Sequence, residues 1–288
     1  MSIIVLGKTG QIASYLSNFK NVISLDRSQL DFLKDDILTK LQSILKYKPR
    51  VIINCVSYNN VNDASKETIQ AKAINIDAVK KISLFCQENS IHFIHISSDF
   101  IFSGEGDKPW DVNDIPSPVN YYGKTKLSGE DAVMKSNCSY TIIRTSWVFS
   151  EIGNNFMKKI YTLIKSQQNK SINVVDDQVG GPTPASEIAK FLYDISCNHI
   201  SGKNIKGVYH YCGLPFVSRA DIAQEVCDKL NSNTRIIRTE SNNIDDIMRP
   251  KNSRLDVDLT KKFFCIEMPR WPVYIEKYIH KLESTNNL

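Results

Sequence analysis

The sequence predicts an α/β protein with a doubly wound parallel sheet, and three observations support this. Short apolar runs rich in β-branched residues alternate with amphipathic helical patterns through the first half of the chain. The runs are continuously apolar, as expected for strands covered by helices on both faces. A turn containing two glycines directly follows the first run. This order of elements is typical of doubly wound folds.

The first half contains a regular succession of strands and helices. Strands are predicted for short β-branched runs, and helices where apolar residues recur every three or four positions. In chain order the elements are strand 3–6, helix 11–19, strand 22–25, helix 38–46, strand 51–54, helix 75–88, strand 92–97, helix 121–136 and strand 140–145.

The second half is less regular. Its predicted elements are helix 156–167, strand 171–175, helix 186–197 and helix 219–230, separated by Pro-, Gly- and Asn-rich loops at 176–184, 198–207, 212–218 and 240–254. We expect a dinucleotide-binding domain over 1–147. A smaller C-terminal α/β lobe over 148–288 would mainly bind substrate. Segments near 171–185 and 235–256 could return to the first domain.

Composition narrows the class of protein. The 288 residues carry a formal net charge of +5 without a dense basic run, which disfavours nucleic-acid binding. The seven cysteines form no C-x-x-C pair and are an odd number, so we expect free thiols in a reducing cytoplasm. We find no signal-peptide pattern and no apolar stretch long enough to span a bilayer.

The glycine turn indicates nucleotide binding. Gly7 and Gly10 begin a G-x-x-G-x-x-A pattern between the first strand and the first helix, where backbone N–H groups can approach a pyrophosphate. Asp26 ends the second strand, where an acid can bind the adenosine ribose, and Arg27 could pair with a 2′-phosphate. Because these residues favour different cofactors, we expect use of both NADH and NADPH.

A tyrosine and a lysine four residues apart supply the strongest chemical signal. Tyr122 and Lys126 lie in a predicted helix, where this spacing places both side chains on one face. A nearby ammonium is expected to lower the pKa of a phenol, so Tyr122 could protonate a carbonyl that receives a hydride. Ser98 follows the fourth strand, at the sheet edge where ligands bind, and could hydrogen-bond that carbonyl.

Several motifs together resemble the dTDP-4-dehydrorhamnose reductase family, in order along nearly the whole chain. They are the runs at 97–102 (SSDFIF), 117–130 (SPVNYYGKTKLSGE), 144–149 (RTSWVF), 154–156 (NNF), 177–183 (DQVGGPT), 249–255 (RPKNSRL) and 269–271 (PRW). The resemblance implies an extended short-chain dehydrogenase/reductase with a Rossmann-like sheet. The implied reaction is reduction of the 4-keto group of a dTDP-linked 6-deoxyhexose, in rhamnose and polysaccharide biosynthesis.

The resemblance also implies roles for individual residues. Tyr122 would be the proton donor, Lys126 its partner and Ser98 the accessory hydroxyl. The cofactor would lie along Gly7, Gly10, Gln11, Ile12, Asp26, Asp31, Phe32, Cys55, Val56 and Ser57, beside Arg27. The implied substrate contacts are Ser98, Asp99, Trp147, Asn155, Gln178, Arg249 and Asn252. An aromatic face at Trp147 suits a sugar or base, and Arg249 suits a diphosphate.

The chain departs from the family pattern at three places. Ser98 replaces the usual threonine, and the run at 61–65 (VNDAS) lacks two acids of the usual V-D-x-A-E. Some bacterial members form magnesium-bridged dimers through a glutamate of the first helix, but residues 11–20 contain no acid. We therefore predict no metal and leave a homodimer open.

Three other functions remain open at this stage. The chain could reduce a different keto-sugar nucleotide, of the talose or heptose type. It could be a non-catalytic NADP-binding regulatory subunit, as in the beta subunit of methionine adenosyltransferase, or a dehydrogenase of small alcohols. The C-terminal lobe argues against the last, since a small substrate needs no such enclosure.

Overall fold

The computed structural model describes residues 2–166, 170–241 and 248–286. Among these residues, six strands form the central sheet: β1 (Ser2–Leu6), β2 (Val22–Leu25), β3 (Pro49–Asn54), β4 (His92–Ser98), β5 (Tyr140–Thr145) and β10 (Gly207–His210). Their order across the sheet is β2-β1-β3-β4-β5-β10, and all neighbours pair in parallel. The predicted doubly wound parallel sheet is therefore confirmed.

Burial on both faces explains the continuous apolar runs. Side chains alternate between the two faces of a strand. In β1, Ile3 and Val5 belong to one buried cluster, and Ile4 and Leu6 belong to another. The first cluster includes residues of α1 (Gln11–Leu16) and α7 (Ala185–Ile200), and the second includes residues of α2 (Ile37–Ile44), α4 (Ala78–Glu88) and α5 (Tyr121–Lys135). Helices thus cover the sheet on both sides.

Several predicted boundaries were wrong. The helix predicted at 11–19 ends at Leu16, and that predicted at 38–46 ends at Ile44, before a 3₁₀ turn. The helix predicted at 75–88 corresponds to α4 and part of a π-helical turn at Ala73–Asp77, and a helix before that turn, α3 (Thr68–Lys72), was not predicted. Asn75 of that turn bonds to Tyr58 and to Thr125 of α5, which gives the irregular turn tertiary partners.

The second half builds small sheets and a third core cluster. β7 (Ser171–Val175) pairs with β12 (Arg235–Thr239), and β6 (Val148–Phe149) pairs with β9 (Thr183–Pro184). β8 (Val179–Gly180) lies between β11 (Val217–Ser218) and β13 (Asn252–Ser253). The segments near 171–185 and 235–256 therefore contribute strands outside the central sheet.

Helices complete this region. α6 (Phe156–Lys165), α8 (Arg219–Lys229) and α10 (Trp271–Asn286) share the third cluster, and α9 (Asp258–Phe264) packs beside β10. β10, β12, α9 and α10 were not predicted. Residue 167 of the predicted helix 156–167 and residues 242–247 of the predicted loop 240–254 lie outside the described residues. In the part of the chain that the structure describes, we find no helix capable of crossing a bilayer.

Candidate active site

A cleft of about 270 Å³ opens where the strand order reverses between β1 and β3. Ligands of doubly wound sheets bind beyond the carboxyl ends of the strands at such a reversal. Most predicted cofactor residues line this cofactor cleft, namely Gly7, Gly10, Asp26, Arg27, Asp31, Phe32, Cys55, Val56 and Ser57.

The glycine turn leaves backbone at the wall of the cofactor cleft. Gly7 has φ +100°, and a Cβ there would lie 2.9 Å from Cγ2 of Val56. The N–H of Gly10 donates to the carbonyl of Gly7 at 3.0 Å, which closes the turn. Because Gly7 and Gly10 line the cleft and carry no side chain, the residues present fit the pyrophosphate of a dinucleotide.

Charged groups follow β2 at the far end of this cleft. The carboxylate of Asp26 accepts hydrogen bonds from Ser28 and Gln29, and the bond from the Ser28 hydroxyl lowers its pKa. Arg27 is exposed and pairs with Asp31 at 3.0 Å. An ionised acceptor and a guanidinium thus both flank the cleft.

Gln11 and Ile12 occupy the first turn of α1. The side-chain oxygen of Gln11 accepts from Ser150 at 2.8 Å and from Asn155 at 3.1 Å, and Ile12 packs against the apolar core. Gln11 therefore links the glycine turn to the start of α6.

A second cleft of about 1000 Å³, the substrate cleft, lies beside the first, and Asn59 lines both. Its size suits a ligand larger than a simple sugar. Four of the predicted substrate residues line it, namely Trp147, Asn155, Gln178 and Arg249.

The predicted catalytic helix, α5, begins beside the turn that follows β4. Asn120 caps α5 by accepting from the N–H of Gly123 at 2.8 Å. A Cβ on Gly123 would lie 2.1 Å from the carbonyl oxygen of Phe100, so only glycine permits this approach. Tyr122 packs edge-on against the Phe100 ring, with ring centroids 5.4 Å apart.

The hydroxyl of Tyr122 lies between two serines. The hydroxyls of Ser98 and Ser57 both lie beside it, and Ser57 also lines the cofactor cleft. Burial, together with the charge of Asp99, raises the pKa of Tyr122 to about 12. The predicted lowering of this pKa by Lys126 is therefore wrong, because burial and a nearby carboxylate both favour the neutral phenol.

Lys126 is buried and held by the backbone of β4. Its Nζ donates to the carbonyl of Ile96 at 2.7 Å. Burial lowers its pKa to about 8, and Glu130 opposes that change. Lys126 is therefore a buried cation that lies close to its titration point at neutral pH.

Asp99 is a buried acid behind this site. Its Oδ1 accepts from the Ser98 hydroxyl at 2.9 Å, and Ser253 lies beside the carboxylate. Burial raises its pKa to about 6. Asp99 thus contacts the predicted accessory hydroxyl and acts electrostatically on Tyr122.

The remaining predicted substrate residues have structural partners. Asn155 caps α6 by accepting from Lys158 at 3.0 Å, and Gln178 donates to Ser241 at 3.1 Å. Asn252 is buried, and its amide donates to the carbonyl of Lys108 at 2.7 Å. Asn252 therefore holds the loop at 104–108 in place.

The fold places two further residues here that were not predicted from the sequence. Arg219, the first residue of α8, lines the substrate cleft, and its Cζ lies 3.7 Å from the centre of the Trp147 ring. Asn75 accepts from Ser57, which in turn contacts Tyr122. The S-R-A-D capping box at 218–221 locates the helix start that carries Arg219, whereas nothing in the sequence marks the π-helical turn of Asn75.

These features define a nucleotide-binding α/β protein with a Tyr–Lys pair between two adjoining clefts. The family model of the RmlD substrate binding domain matches residues 1–284. The chain belongs to this family.

Relatives that match the chain over its full length support this family assignment. The dTDP-4-dehydrorhamnose reductase of Salmonella typhimurium (strain LT2) is 31% identical over 301 residues, which cover 100% of both chains. The crystal structure of the Bacillus anthracis dTDP-4-dehydrorhamnose reductase in complex with NADP superposes with a TM-score of 0.88 at 25% identity, covering 97% of this chain and 99% of that one. The crystal structure of the Clostridium acetobutylicum orthologue superposes with a TM-score of 0.89 at 28% identity, covering 98% of this chain and 100% of that one. The resemblance inferred from the motifs is confirmed.

Proposed function

We propose that this chain reduces the 4-keto group of dTDP-4-dehydro-β-L-rhamnose to give dTDP-L-rhamnose, with NADPH or NADH as reductant. The observation that carries the proposal is the Tyr122 hydroxyl, which lies between Ser57 of the cofactor cleft and Ser98 at the end of β4. A proton donor placed where the two clefts meet suits transfer between a cofactor and a bound ketone. The full-length similarity to proteins named dTDP-4-dehydrorhamnose reductase supports the choice of substrate.

The proposed chemistry divides between a hydride and a proton. A reduced nicotinamide, when bound, supplies the hydride to the carbonyl carbon. Tyr122 donates its proton to the carbonyl oxygen, and its raised pKa keeps it protonated at neutral pH. Ser98, whose hydroxyl donates to Asp99 in this structure, would donate instead to the carbonyl oxygen and orient it. Lys126, fixed by the carbonyl of Ile96, holds a positive charge on the same face of α5.

The binding roles follow from the two clefts. The cofactor would occupy the cleft of the glycine turn, with its phosphates at Gly7 and Gly10 and its ribose at Asp26. Arg27 offers a cation to a 2′-phosphate, so both dinucleotides have a partner. The sugar nucleotide would occupy the substrate cleft near Trp147 and Arg249. On this assignment, residues 1–147 bind cofactor and 148–288 mainly bind substrate.

We also propose a cellular setting. All seven cysteines are free thiols, which suits the cytoplasm. The product would enter the synthesis of rhamnose-containing polysaccharide. We propose that any homodimer has no bridging metal, since residues 11–20 supply no acid.

The test follows NADPH and NADH oxidation by absorbance with dTDP-4-dehydro-β-L-rhamnose, which coupled upstream enzymes supply. Talose- and heptose-type keto-sugar nucleotides are assayed in parallel. We expect the dTDP-linked rhamnose precursor to give the highest kcat/KM. A higher kcat/KM for another sugar would refute the substrate. Cofactor binding without turnover of any sugar would instead favour a regulatory subunit.

A further inference from the structure

The position of Arg219 is fixed at the start of α8. Ser218 caps this helix by accepting from the N–H of Asp221 at 3.1 Å, while its own N–H donates to the Asp221 carboxylate at 2.8 Å. The Ser218 hydroxyl also donates to Asp176. A helix start held by these bonds gives the Arg219 backbone one well-defined place beside the substrate cleft.

Trp147 supports the guanidinium of Arg219. Cζ of Arg219 lies 3.7 Å from the centre of the Trp147 ring and 5.1 Å from that of Phe156, which is a cation–π arrangement. Trp147 has the unusual φ of +46°, and its ring packs so closely on Gly180 that a Cβ there would lie 2.8 Å from Cε2. The indole is therefore held in place and carries the arginine.

Positive charge dominates the substrate cleft. Among its described lining residues, the charged side chains are four cations and one acid, namely Lys159, Arg219, Arg249, Lys251 and Glu105. Lys251 pairs with Asp177 at 2.9 Å. The cleft therefore favours an anionic ligand.

The two arginines meet neutral partners. Arg249 donates to the amide oxygen of Asn62, and Arg219 contacts aromatic rings, so neither contact neutralises the guanidinium. Burial lowers the pKa of Arg219; the charge of Asp99 opposes that change and the charge of Arg249 adds to it. A guanidinium keeps its proton at neutral pH, so two like charges repel each other across one cleft. A ligand with two adjacent negative groups would relieve this repulsion.

We propose that Arg219 binds the diphosphate of the nucleotide substrate together with Arg249, and that Trp147 is a positioning residue for Arg219. The planar guanidinium forms paired hydrogen bonds to phosphate oxygens. Trp147 then acts on the substrate through the arginine that covers its ring. The proposal rests on the proposed function for the nucleotide; the charge pattern itself favours a ligand with two adjacent negative groups.

The experiment measures how much binding affinity the second phosphate of dTDP adds. The dissociation constants of dTMP and dTDP are determined by calorimetry for the wild type, Arg219→Met, Arg219→Lys and Trp147→Leu, with Arg235→Met as a matched control at an exposed position of β12. We expect Arg219→Met to weaken dTDP about 10- to 100-fold, as for loss of a charge-assisted pair, and to reduce the dTDP-to-dTMP affinity ratio about tenfold or more. Arg219→Lys should reduce the dTDP-to-dTMP affinity ratio less than Arg219→Met does, and Arg235→Met should leave it at the wild-type value.

Trp147 has its own expected result. Trp147→Leu should reduce the same ratio, and combining it with Arg219→Met should reduce it little further, because both changes remove one interaction. An unchanged ratio in Arg219→Met would overturn the diphosphate role, and equal weakening of dTMP and dTDP would show a merely structural residue. Fully additive losses would refute the positioning role.

The outcome is separable from the proposed function. A wild type that binds dTDP through Arg219 but reduces no dTDP-linked sugar would sustain this inference and refute the activity. If the wild type reduces the sugar but Arg219→Met leaves the dTDP-to-dTMP affinity ratio unchanged, the activity is sustained and this inference is refuted.

Discussion

Replacing Asp99 with asparagine measures the cost of a buried charge beside Tyr122. The residue is 2% exposed, and its Oδ2 has no hydrogen-bond partner among the described residues. Burial raises its pKa from 3.8 to about 6. Because one pH unit corresponds to about 1.36 kcal/mol, a difference of about 2 units means that the ionised form destabilises the fold by about 3 kcal/mol.

The direction of the pH dependence follows from proton binding. The folded state holds the Asp99 proton more tightly than the unfolded chain, because its pKa is raised on folding. This stabilisation is complete below about pH 3.8 and is lost as the pH rises through about 6. Asp99→Asn lacks the titration but weakens the bond from Ser98. We therefore expect the variant to be more stable by about 1 to 3 kcal/mol near pH 8, with no advantage near pH 4.

The assay is urea unfolding at several pH values between these limits, with Asp107→Asn as the control because Asp107 is exposed. The free energy of unfolding of Asp107→Asn should follow that of the wild type at every pH. Turnover of Asp99→Asn should fall, since the Ser98 hydroxyl loses its carboxylate partner. A variant no more stable than the wild type at the higher pH, or one with the same advantage at every pH, would refute the reasoning.

Four further outcomes test the site. Tyr122→Phe should abolish turnover while cofactor still binds by fluorescence titration; undiminished activity would exclude it as the acid. Ser98→Ala should lower kcat by about 10- to 100-fold yet leave measurable turnover, and a fully active variant would make its hydroxyl irrelevant. The kcat/KM profile should fall above about pH 8 as Lys126 loses its proton, since its pKa is lowered to about 8; a profile flat to about pH 10 would contradict this. Gly123→Ala should lower the free energy of unfolding by about 2 to 4 kcal/mol, because its Cβ meets the Phe100 carbonyl; unchanged urea unfolding would disprove that clash.

The sequence predicted the central sheet well because its strands are buried on both faces. Strand 140–145 was predicted with its observed bounds, since four of the six residues of β5 are β-branched. β10 was missed because it has only four residues and begins with glycine. The π-helical turn at Ala73–Asp77 was missed because its partners, Tyr58 and Thr125, become neighbours only in the folded chain.

Local motifs predicted which residues lie together better than they predicted the electrostatics of those residues. The spacing of Tyr122 and Lys126 placed both on one helix face, which requires only helical geometry. Both pKa values depend on burial, that of Tyr122 also on Asp99 and that of Lys126 also on Glu130, and sequence spacing does not reveal burial. Arg219 was missed because it lies 72 residues after Trp147 in the chain, and only the packing of α8 joins the two.

The electrostatics of Tyr122 favour reduction of the ketone over the reverse oxidation of the alcohol. Reduction needs the phenol in its protonated form, and a pKa of about 12 keeps it so at any physiological pH. Oxidation would need the phenolate, which burial and the negative charge of Asp99 both disfavour. If Asp99 is the source of this bias, Asp99→Asn should lower the pKa of Tyr122. The ionisation of Tyr122 is followed by ultraviolet difference absorbance against Tyr122→Phe during an alkaline titration, and its midpoint should move to lower pH. An ionisation unmoved by the substitution would assign the bias to burial alone.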